Sequence, residues 1–409
     1  MSSTKKLVKT FSALAMLRAV NVLLPLALYP VLLHRLGAEL LGLVVFAQAV
    51  ATYFMVGVNY ATETYGTRLV SRLKDQPEAL RHEVSQLWWM KVLLLLVVLL
   101  AYGLLLALWP FTHPHIYVFV FSLHVVLYEA FFPVWFYQGI DKVHQVTLLN
   151  VGSKILGAVL LLSWVIVQKD AWLVPTANTA AALFMIVIAT FMLYRRLGGI
   201  AAPSLSGIMI HLRGGWPFFV TSLAGMLYVN ANRVLIGAVG MAEVAYYDLA
   251  DRVVQLAKAP QQILGLSLFP KISASADAKA LVRRFAPYSV VANAVLTAAV
   301  FAGAPLIVAL LSPGLSAEGA FISVSVMQIL SLNILVVGLE SIVVVQQALA
   351  QNHERAVMRF TLESVALYAG FVLSLVAFGY YRVTWLTSAA VLVECYLLLR
   401  TFSYLRRAR

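Results

Sequence analysis

Residues Tyr228–Gln262 read YVNANRVLIGAVGMAEVAYYDLADRVVQLAKAPQQ and place charged side chains inside apolar sequence. The stretch predicts two membrane-spanning helices joined by a tight turn at Gly240–Glu243. At about 100° per residue, the second helix carries one polar stripe. Its members are Asp248, Asp251, Gln255, Lys258 and Gln262, with Arg252 at the edge. A charge in hydrocarbon costs about 2.5–3.5 kcal/mol or more, so we expect the stripe to face protein or water along a polar pathway.

The composition places the whole chain in a membrane. Of its 409 residues, 62% are hydrophobic and only 11% are charged, and the mean hydropathy is +0.89. Soluble domains contain about 25% charged residues, and repeated apolar runs of about 20 residues are typical of transmembrane helices. The single cysteine, Cys395, excludes an intramolecular disulfide and a cysteine metal cluster. We therefore predict an all-α polytopic membrane protein.

Twelve apolar segments are long enough to span a bilayer. The predicted spans are 10–33, 40–70, 86–110, 115–138, 146–168, 172–194, 214–238, 243–270, 285–311, 316–349, 357–379 and 383–405. With both termini in the cytoplasm, 21 of the 30 Lys and Arg residues fall at inner ends and loops and 3 in outer loops. This is the asymmetry of the positive-inside rule. The net charge of +13 is thus explained by topology, and we predict no nucleic-acid partner.

A glycine-containing segment, 195–213, predicts a cytoplasmic linker. It divides the chain into an N-terminal six-helix bundle, 1–194, and a C-terminal six-helix bundle, 214–409. Because six is an even number, both halves enter the membrane in the same sense. That arrangement is typical of repeats related by an axis along the membrane normal.

Four charges of the quoted stretch are predicted to lie near the outer face, two of them at the same depth. Arg233 precedes the turn by about as many residues as Asp248 follows it, at 1.5 Å per residue. Asp251 and Arg252 lie close behind. Two interpretations stay open: a structural ion-pair cluster in which buried charges cancel, or an outer gate whose pairs break and reform.

A second group of charges is predicted near the inner face. Arg18, Lys154 and Lys258 come from three different spans and lie about 10–15 Å into the bilayer. They predict a cationic inner vestibule, whose clearest anion at similar depth is Glu129. The alternative is that Lys154 snorkels and that Arg18 pairs with Glu129. Lys91 lies near the inner end of its span, and we expect it to snorkel.

Polar faces on spans one, two, seven, eight and ten predict a water-filled cavity, although single amides often join helices instead. Asn333, Glu340 and Gln347, at intervals of seven residues, lie on one such face of span ten. The candidate cavity residues are Arg18, Asn21, Gln48, Glu129, Lys154, Arg233, Arg252, Gln255 and Lys258. The candidate gating or coupling residues are Asp248, Asp251 and Glu129.

Signatures of an enzyme are not visible in the sequence. The eight histidines form no metal-ligand pair on a helix, and there is no nucleotide-binding Walker loop. We therefore predict a transporter with no catalytic residue, no metal site and no cofactor. A membrane polysaccharide polymerase stays as a second alternative, but it would need a large outer loop, and the predicted outer loops are short.

Three segments carry a resemblance to a known family. They are LPLALYPVLLHRLGAELLGLVVFAQAVATYF (24–54), PVWFYQG (133–139) with Asp141 following, and NANRVLIGAVGMAEVAYYDLADRV (230–253) with LFPKIS (268–273). In order and spacing over the twelve spans, these segments resemble the Wzx-type polysaccharide or O-antigen flippases. That family lies within the multidrug/oligosaccharidyl-lipid/polysaccharide exporter superfamily.

The resemblance implies two six-helix bundles around a central cavity that opens alternately to each side of the bacterial inner membrane. It implies a cargo of an O-antigen-like oligosaccharide on polyprenyl diphosphate, moved from the cytoplasmic to the outer leaflet of the lipid bilayer, with proton or cation coupling in some members. Polymerase and chain-length proteins of polysaccharide assembly are the implied protein partners. By position, the cation-lined lumen would use Arg18, Lys154, Arg233, Arg252 and Lys258.

A cation-coupled exporter of drugs or small amphiphiles is the first alternative. It could use the same two bundles, but a cationic cargo favours an acidic lumen. Here the predicted lumen cations match or exceed the anions. The diphosphate of a lipid-linked sugar, by contrast, offers acceptors that Arg binds bidentately and Lys binds as a point charge.

Overall fold

The computed structural model describes the backbone of residues 3–60, 62–167, 170–273, 278–348 and 354–407. Side chains are described for 20–60, 62–164, 170–220, 222, 223, 226, 230–262, 264, 282–344 and 356–407. Within these ranges, every regular element is helical. The helices are α1 (Ser3–Asn59), α2 (Tyr65–Leu73), α3 (Pro77–Leu108), a 3₁₀ turn (Pro110–His115), α4 (Ile116–Ser122), α5 (His124–Phe131), α6 (Val134–Gly139), α7 (Val143–Val167), α8 (Leu173–Leu197), α9 (Leu205–Val229), α10 (Ala231–Gly237), α11 (Met241–Ser273), α12 (Ala278–Leu311), α13 (Ala317–Glu340), a π-helical segment (Ser341–Ala348), α14 (Glu354–Ala377) and α15 (Val383–Arg407).

Nine segments of the described chain are long and apolar enough to cross a membrane. They are Val20–Asn59, Pro77–Leu108, Pro110–Gly139, Val143–Trp164, Leu173–Leu197, Val282–Leu311, Ala317–Val344, Ala356–Ala377 and Val383–Arg407. The first holds two predicted spans and the others hold one each, so together they account for ten of the twelve. The remaining spans, 214–238 and 243–270, fall on α9 to α11. The prediction of an all-α polytopic membrane protein is confirmed.

The chain divides into two compact units. One unit comprises Met1–Leu24 and Leu43–Leu227, and the other comprises Pro25–Gly42 and Tyr228–Arg409. These units begin and end elsewhere than the predicted domains 1–194, 195–213 and 214–409, so that domain assignment stays a prediction.

Helix α1 is broken at one glycine. Gly37 has φ +76° and ψ 169°, a backbone region that essentially only glycine occupies. The break lies between the first two predicted spans. After this break, Gly42 packs directly against Met241 of the second unit. A Cβ on Gly42 would lie only 1.6 Å from the carbonyl oxygen of Met241. The Tyr29 hydroxyl donates a 2.5 Å hydrogen bond to the carbonyl of Ala245.

The PVWFYQG segment forms a packing element of the first unit. Its aromatic residues Trp135, Phe136 and Tyr137 are each at least 98% buried and belong to one apolar core with Tyr60 and Val70. Helix α6 approaches α2 so closely that a Cβ on Gly139 would lie 2.5 Å from the Val70 side chain. This part of the family resemblance therefore specifies helix packing.

The segment before α9 lies along α3, where Arg81, Ser85 and Trp89 follow one another at intervals of four residues and so share a helix face. The polar groups are joined by the hydrogen bonds Arg81 Nε to Gly199 O (3.2 Å), Ala201 N to Ser85 Oγ (2.9 Å), Trp89 Nε1 to Ala201 O (3.0 Å), Gln86 Nε2 to Ala202 O (3.0 Å) and Ser204 N to Gln86 Oε1 (2.8 Å). Much of the predicted linker is therefore an ordered part of the first unit.

A buried histidine, His211, adds a further contact between α9 and α3. The His211 ring is 1% exposed, with Nδ1 3.1 Å from the Tyr65 hydroxyl and Nε2 3.1 Å from a Glu83 carboxylate oxygen. Burial lowers the pKa of His211, and the nearby Glu83 carboxylate opposes that shift in part. The folded protein therefore favours neutral His211.

Gly37→Ala is expected to lower the thermal unfolding midpoint in detergent, because the Gly-only conformation costs a non-glycine residue about 1–3 kcal/mol. A Cβ at Gly37 would meet no atom within 4 Å, so the effect would come from the backbone alone. Gly103→Ala is the matched control, because Gly103 also has open space and lies in a regular helix. Equal midpoints for the two variants would contradict this account of the break.

Acidification is expected to destabilise the wild type in part through His211. Because its folded-state pKa is lowered, the unfolded state binds more protons below about pH 6.5, and stability falls as the pH drops through that window. His211→Gln should flatten the pH dependence of the thermal midpoint. His82→Gln is the control, since His82 contacts the same Glu83 from an exposed position. Identical pH profiles for wild type and His211→Gln would refute the assignment.

Candidate functional site

An interhelical network joins α10 to α11. Arg233 donates from Nε to Asp248 Oδ1 (3.3 Å) and from Nη2 to Asp251 Oδ2 (2.5 Å). Arg252 donates from Nε to Asp248 Oδ2 (2.5 Å), and Gln255 donates from Nε2 to Asp251 Oδ1 (3.2 Å). All four carboxylate oxygens of the two aspartates therefore accept a hydrogen bond.

Sequence spacing explains how this network forms. Asp248 and Arg252, like Asp251 and Gln255, are four residues apart on α11 and so lie on the same face. Arg233 reaches them from α10 across the turn, and its Nη1 also donates to Asn230 Oδ1 at 3.2 Å. The two arginines and two aspartates sum to zero charge, which is how buried ions are stabilised. The geometry is that of the predicted ion-pair cluster, and the gating role stays a prediction.

Aromatic hydroxyls surround the network. Asn232 donates to the Tyr247 hydroxyl at 3.2 Å, and the Tyr368 hydroxyl of α14 donates to Asn232 Oδ1. The Tyr381 hydroxyl donates to the carbonyl of Leu235 at 2.5 Å. Tyr247, Tyr368 and Tyr381 are not among the predicted site residues, because tyrosines in a chain this rich in aromatic residues give no distinctive sequence signal.

Lys258 occupies a different electrostatic environment two turns further along α11. Its side chain is buried, with a relative exposure of 7%. Its charge interacts with Asp251, with Glu340 at the end of α13 and with Glu394 of α15. However, no carboxylate oxygen of the described residues lies within 4.0 Å of Lys258 Nζ, the limit for a direct ion pair. Glu394 is not among the predicted site residues, since a single glutamate in an apolar span does not indicate its partner.

The first unit contains a separate buried ion pair. Lys91 Nζ lies 3.3 Å from Glu129 Oε1 and donates to the Thr62 hydroxyl at 3.2 Å, while Asn59 Nδ2 donates to the same Glu129 oxygen at 3.0 Å. The Lys91 side chain is 1% exposed. The prediction that Lys91 snorkels is therefore wrong, because Glu129 stabilises its charge in the interior. Lys91 lies 19 residues before the hairpin at Pro110–His115 and Glu129 lies 14 residues after it, so counting from that turn does not place them at the same depth.

The other predicted residues lie elsewhere. The Arg18 side chain is outside the described residues. Asn21 and Lys154 are exposed, and the Lys154 charge interacts with His124. Gln48 is half-buried, and its backbone carbonyl accepts a hydrogen bond from the Thr52 hydroxyl. The predicted site residues thus fall into a network of five, the Lys258 environment, the Glu129 pair and single positions, and their roles stay predictions.

Metal ligation has no candidate in the described part of the chain, where no group of three or more His, Cys, Asp and Glu side chains is arranged to hold an ion. The polar groups described above are ion pairs, amides and hydroxyls. Such groups bind and release anions and hydroxylated ligands.

Comparison with solved structures establishes the fold. The chain is similar to the lipid II flippase MurJ in an inward closed conformation, with a TM-score of 0.73 and 11% identity over 99% of this chain and 88% of that chain. It is also similar to an inward-facing multidrug resistance MATE-family transporter of the MOP superfamily, with a TM-score of 0.67 and 14% identity over 98% of this chain and 94% of that chain.

Sequence comparison gives the family. A Shigella dysenteriae protein described as "Putative O-antigen transporter" is 25% identical over 269 residues, which are 65% of this chain and 67% of that protein. The profile of the family described as "Polysaccharide biosynthesis protein" matches residues 7–276. Because that match covers well over half of the chain, this protein belongs to the polysaccharide biosynthesis protein family, as its resemblance to the Wzx-type flippases predicts.

Proposed function

We propose that this protein is a flippase for a polyprenyl-diphosphate-linked oligosaccharide. It moves an O-antigen-like unit from the cytoplasmic to the outer leaflet of the bacterial inner membrane by alternating access. Membership of the polysaccharide biosynthesis family and the similarity to an O-antigen transporter support the cargo class. The positive-inside asymmetry of the sequence supports cytoplasmic termini.

The observation that carries the proposal is the environment of Lys258. The other buried cations of the described residues are each committed to a carboxylate: Lys91 to Glu129, and Arg233 and Arg252 to the two aspartates of α11. Lys258 is buried and forms no direct ion pair with any residue whose side chain is described. It is therefore the buried cation best able to bind an incoming anion without first breaking a salt bridge.

The chemistry of the cargo matches such a group. A diphosphate carries about two negative charges, and a lysine ammonium donates three hydrogen bonds to it as a point charge. Hydrogen bonds to a charged group contribute about 1.5–3 kcal/mol each. Arg18 and Lys154 stay candidate cargo contacts on the strength of the resemblance, and amide and tyrosine side chains would bind the sugar hydroxyls.

The drug-exporter alternative shares the fold, since a MATE-family transporter is among the structural neighbours. Fold similarity does not distinguish the two functions. The family match favours a sugar cargo, and a cationic drug would be repelled by Lys258. A polymerase is disfavoured because the described segments between apolar helices are short.

Lys258→Gln is expected to reduce flipping of a fluorescent polyprenyl-diphosphate oligosaccharide in proteoliposomes by about ten- to a hundredfold, which corresponds to one lost charge-assisted hydrogen bond. Lys258→Arg should retain much of the rate, because it keeps the positive charge. Arg359→Gln is the control, since Arg359 forms an exposed pair with Glu363. The rate of outer-leaflet appearance is the measurement.

If Lys258→Gln flips the cargo at the wild-type rate, the proposed role of Lys258 is wrong. If the wild type flips none of several lipid-linked glycans, while exporting small amphiphiles, the proposed function itself is wrong. Equal expression and equal thermal midpoints for all variants are needed before rates are compared.

Asp248→Asn is expected to destabilise the protein, because it leaves Arg233 and Arg252 without their shared carboxylate. Breaking a fully buried pair costs about 3–5 kcal/mol, and less is expected here because the arginine side chains are 23% and 26% exposed. Adding Arg252→Gln should restore part of the thermal midpoint. If Asp248→Asn instead keeps the wild-type thermal midpoint but no longer flips the cargo, the gating interpretation is favoured.

A further inference from the structure

A polar groove, here called the α2 groove, lies beside α2 in the first unit. Its volume is about 660 Å³, within the range of about 300–1,000 Å³ that small-molecule sites occupy. Two arginines, one glutamate, three hydroxyl side chains and one glutamine line it, and among the described residues no wholly apolar one does. A hydrocarbon chain would therefore meet only the short stems of polar side chains. We expect the groove to suit a ligand that carries charge and hydroxyl groups.

The amphipathic pattern of α2 forms one wall of the α2 groove. The lining residues of α2 and of the position before it recur at intervals of three or four, so they share one helix face. They are Thr64, Thr67, Arg68, Ser71 and Arg72. The opposite face packs on α6, where a Cβ on Gly139 would lie 2.5 Å from the buried Val70 side chain. The Thr67 hydroxyl also donates to the Trp135 carbonyl at 3.2 Å, so the apolar core of the first unit holds this wall in place.

The charged side chains of the α2 groove do not pair with one another. Glu63, Arg68 and Arg72 are exposed, and neither arginine lies within 4.0 Å of a carboxylate oxygen of the described residues. Arg68 instead lies over the Phe218 ring, with its Cζ 5.6 Å from the ring centroid. Stacking on a ring orients a guanidinium without using its N–H donors. Like charges four residues apart destabilise a helix, so a bound anion would stabilise this arginine pair.

The mixture of groups in the α2 groove matches a phosphorylated saccharide. Arginine binds phosphate bidentately, whereas the ionised Glu63 only accepts hydrogen bonds and so suits a sugar hydroxyl. The Ser71 hydroxyl and the Gln138 amide can both donate and accept, as neighbouring sugar hydroxyls require. The headgroup phosphate of a phospholipid would engage the arginines alone, and its acyl chains would find no apolar side chain in the groove. The observations therefore favour a ligand with phosphate and several hydroxyls.

The α2 groove begins beside the buried polar pair of the first unit. Asn59 and Thr62 immediately precede Glu63 in the chain. Asn59 donates a hydrogen bond to Glu129, and the Thr62 hydroxyl accepts one from Lys91. Helix α2 itself connects two apolar segments that are long enough to span a membrane, on the side that the proposed topology assigns to the cytoplasm. A headgroup made in the cytoplasm would reach this groove from water.

We propose that the α2 groove binds the phosphorylated saccharide of the lipid-linked glycan on the cytoplasmic side. Arg68 and Arg72 bind the phosphate, while Glu63, Gln138 and the groove hydroxyls bind the sugar. This inference rests on the proposed function, which supplies the cargo class. It assigns binding residues to the first unit, whereas Lys258 belongs to the second. The prenyl chain has no part in this recognition, so a soluble sugar phosphate is a sufficient probe.

The phosphate contacts are tested by calorimetric titration of the full-length protein with glucose 1-phosphate. Arg68→Gln/Arg72→Gln is expected to weaken binding by about ten- to a hundredfold, the loss expected for one charge-assisted hydrogen bond. Arg283→Gln/Arg284→Gln is the matched control, because it removes the same charge from two adjacent exposed arginines of α12. Equal affinities of the two double variants would overturn the proposal.

Folding is controlled by requiring the wild-type thermal midpoint of every variant. If Arg68→Gln/Arg72→Gln does not fold, Arg72→Gln alone gives the same test, since its guanidinium forms no ion pair with a described residue. Arg72→Gln should then bind glucose 1-phosphate at least a few times more weakly than the wild type. Wild-type affinity of a folded Arg72→Gln would contradict the assignment.

The saccharide contacts are tested by comparing ligands. Glucose 1-phosphate should bind the wild type more tightly than either glucose or inorganic phosphate. Ser71→Ala/Gln138→Ala should bring its affinity towards that of inorganic phosphate, while leaving the affinity for inorganic phosphate unchanged. If short-chain phosphatidylglycerol displaces glucose 1-phosphate as well as unlabelled sugar phosphate does, the groove recognises a lipid headgroup, and the saccharide assignment is wrong.

The outcomes for the α2 groove and for the proposed function can be told apart. Lys258→Gln is expected to bind glucose 1-phosphate as the wild type does, because Lys258 does not line the groove. Loss of this binding in Lys258→Gln, with retention in Arg68→Gln/Arg72→Gln, would overturn the groove and leave the flippase proposal standing. A wild type that binds glucose 1-phosphate at the groove but flips no lipid-linked glycan would refute the proposed function, and with it the groove's role in cargo binding.

Discussion

A charge inside a membrane protein needs a compensating group, because hydrocarbon offers none. In the described part of this chain, most interior charges are compensated within closed sets, that is, groups of neighbouring side chains whose charges sum to zero. Glu129 compensates Lys91 at 3.3 Å, and two aspartates compensate two arginines between α10 and α11. Each set brings its own hydrogen-bond donors, so that few lone pairs stay unsatisfied. Such sets stabilise specific helix neighbours, and they do so at positions where hydropathy alone would allow several packings.

The location of these sets explains which parts of the site could be predicted. Arg233 and Asp248 are 15 residues apart, on either side of one turn, so helix periodicity and depth were enough to place them together. Lys91 and Glu129 are 38 residues apart, and the glutamates near Lys258 come from α13 and α15. Such contacts depend on how helices distant in sequence pack against one another, and one sequence does not specify that packing. Local periodicity therefore predicted the first network and missed the other two clusters.

In the fold, too, local features could be predicted from the sequence, whereas contacts between distant segments could not. Apolar runs predicted the membrane spans, because the length and hydropathy of a span are fixed by the bilayer. The membership of Pro25–Gly42 in the second unit was not predictable in this way, since it depends on the break at Gly37 and on the close approach of Gly42 to Met241. Likewise, the glycines of segment 195–213 predicted a linker between two bundles, but they did not indicate what the segment packs against. The polar groups of Arg81, Ser85, Gln86 and Trp89 bind its first part to α3.

A carrier must both stabilise its binding cation and leave that cation available, and these needs conflict. A cation in a closed set is stable but occupied, whereas an uncompensated cation at bilayer depth is available but costly. Lys258 lies between these limits, since three carboxylates interact with its charge while none of the described ones is in direct contact. The stability of the empty protein and its affinity for an anion therefore both depend on how the charge of Lys258 is compensated.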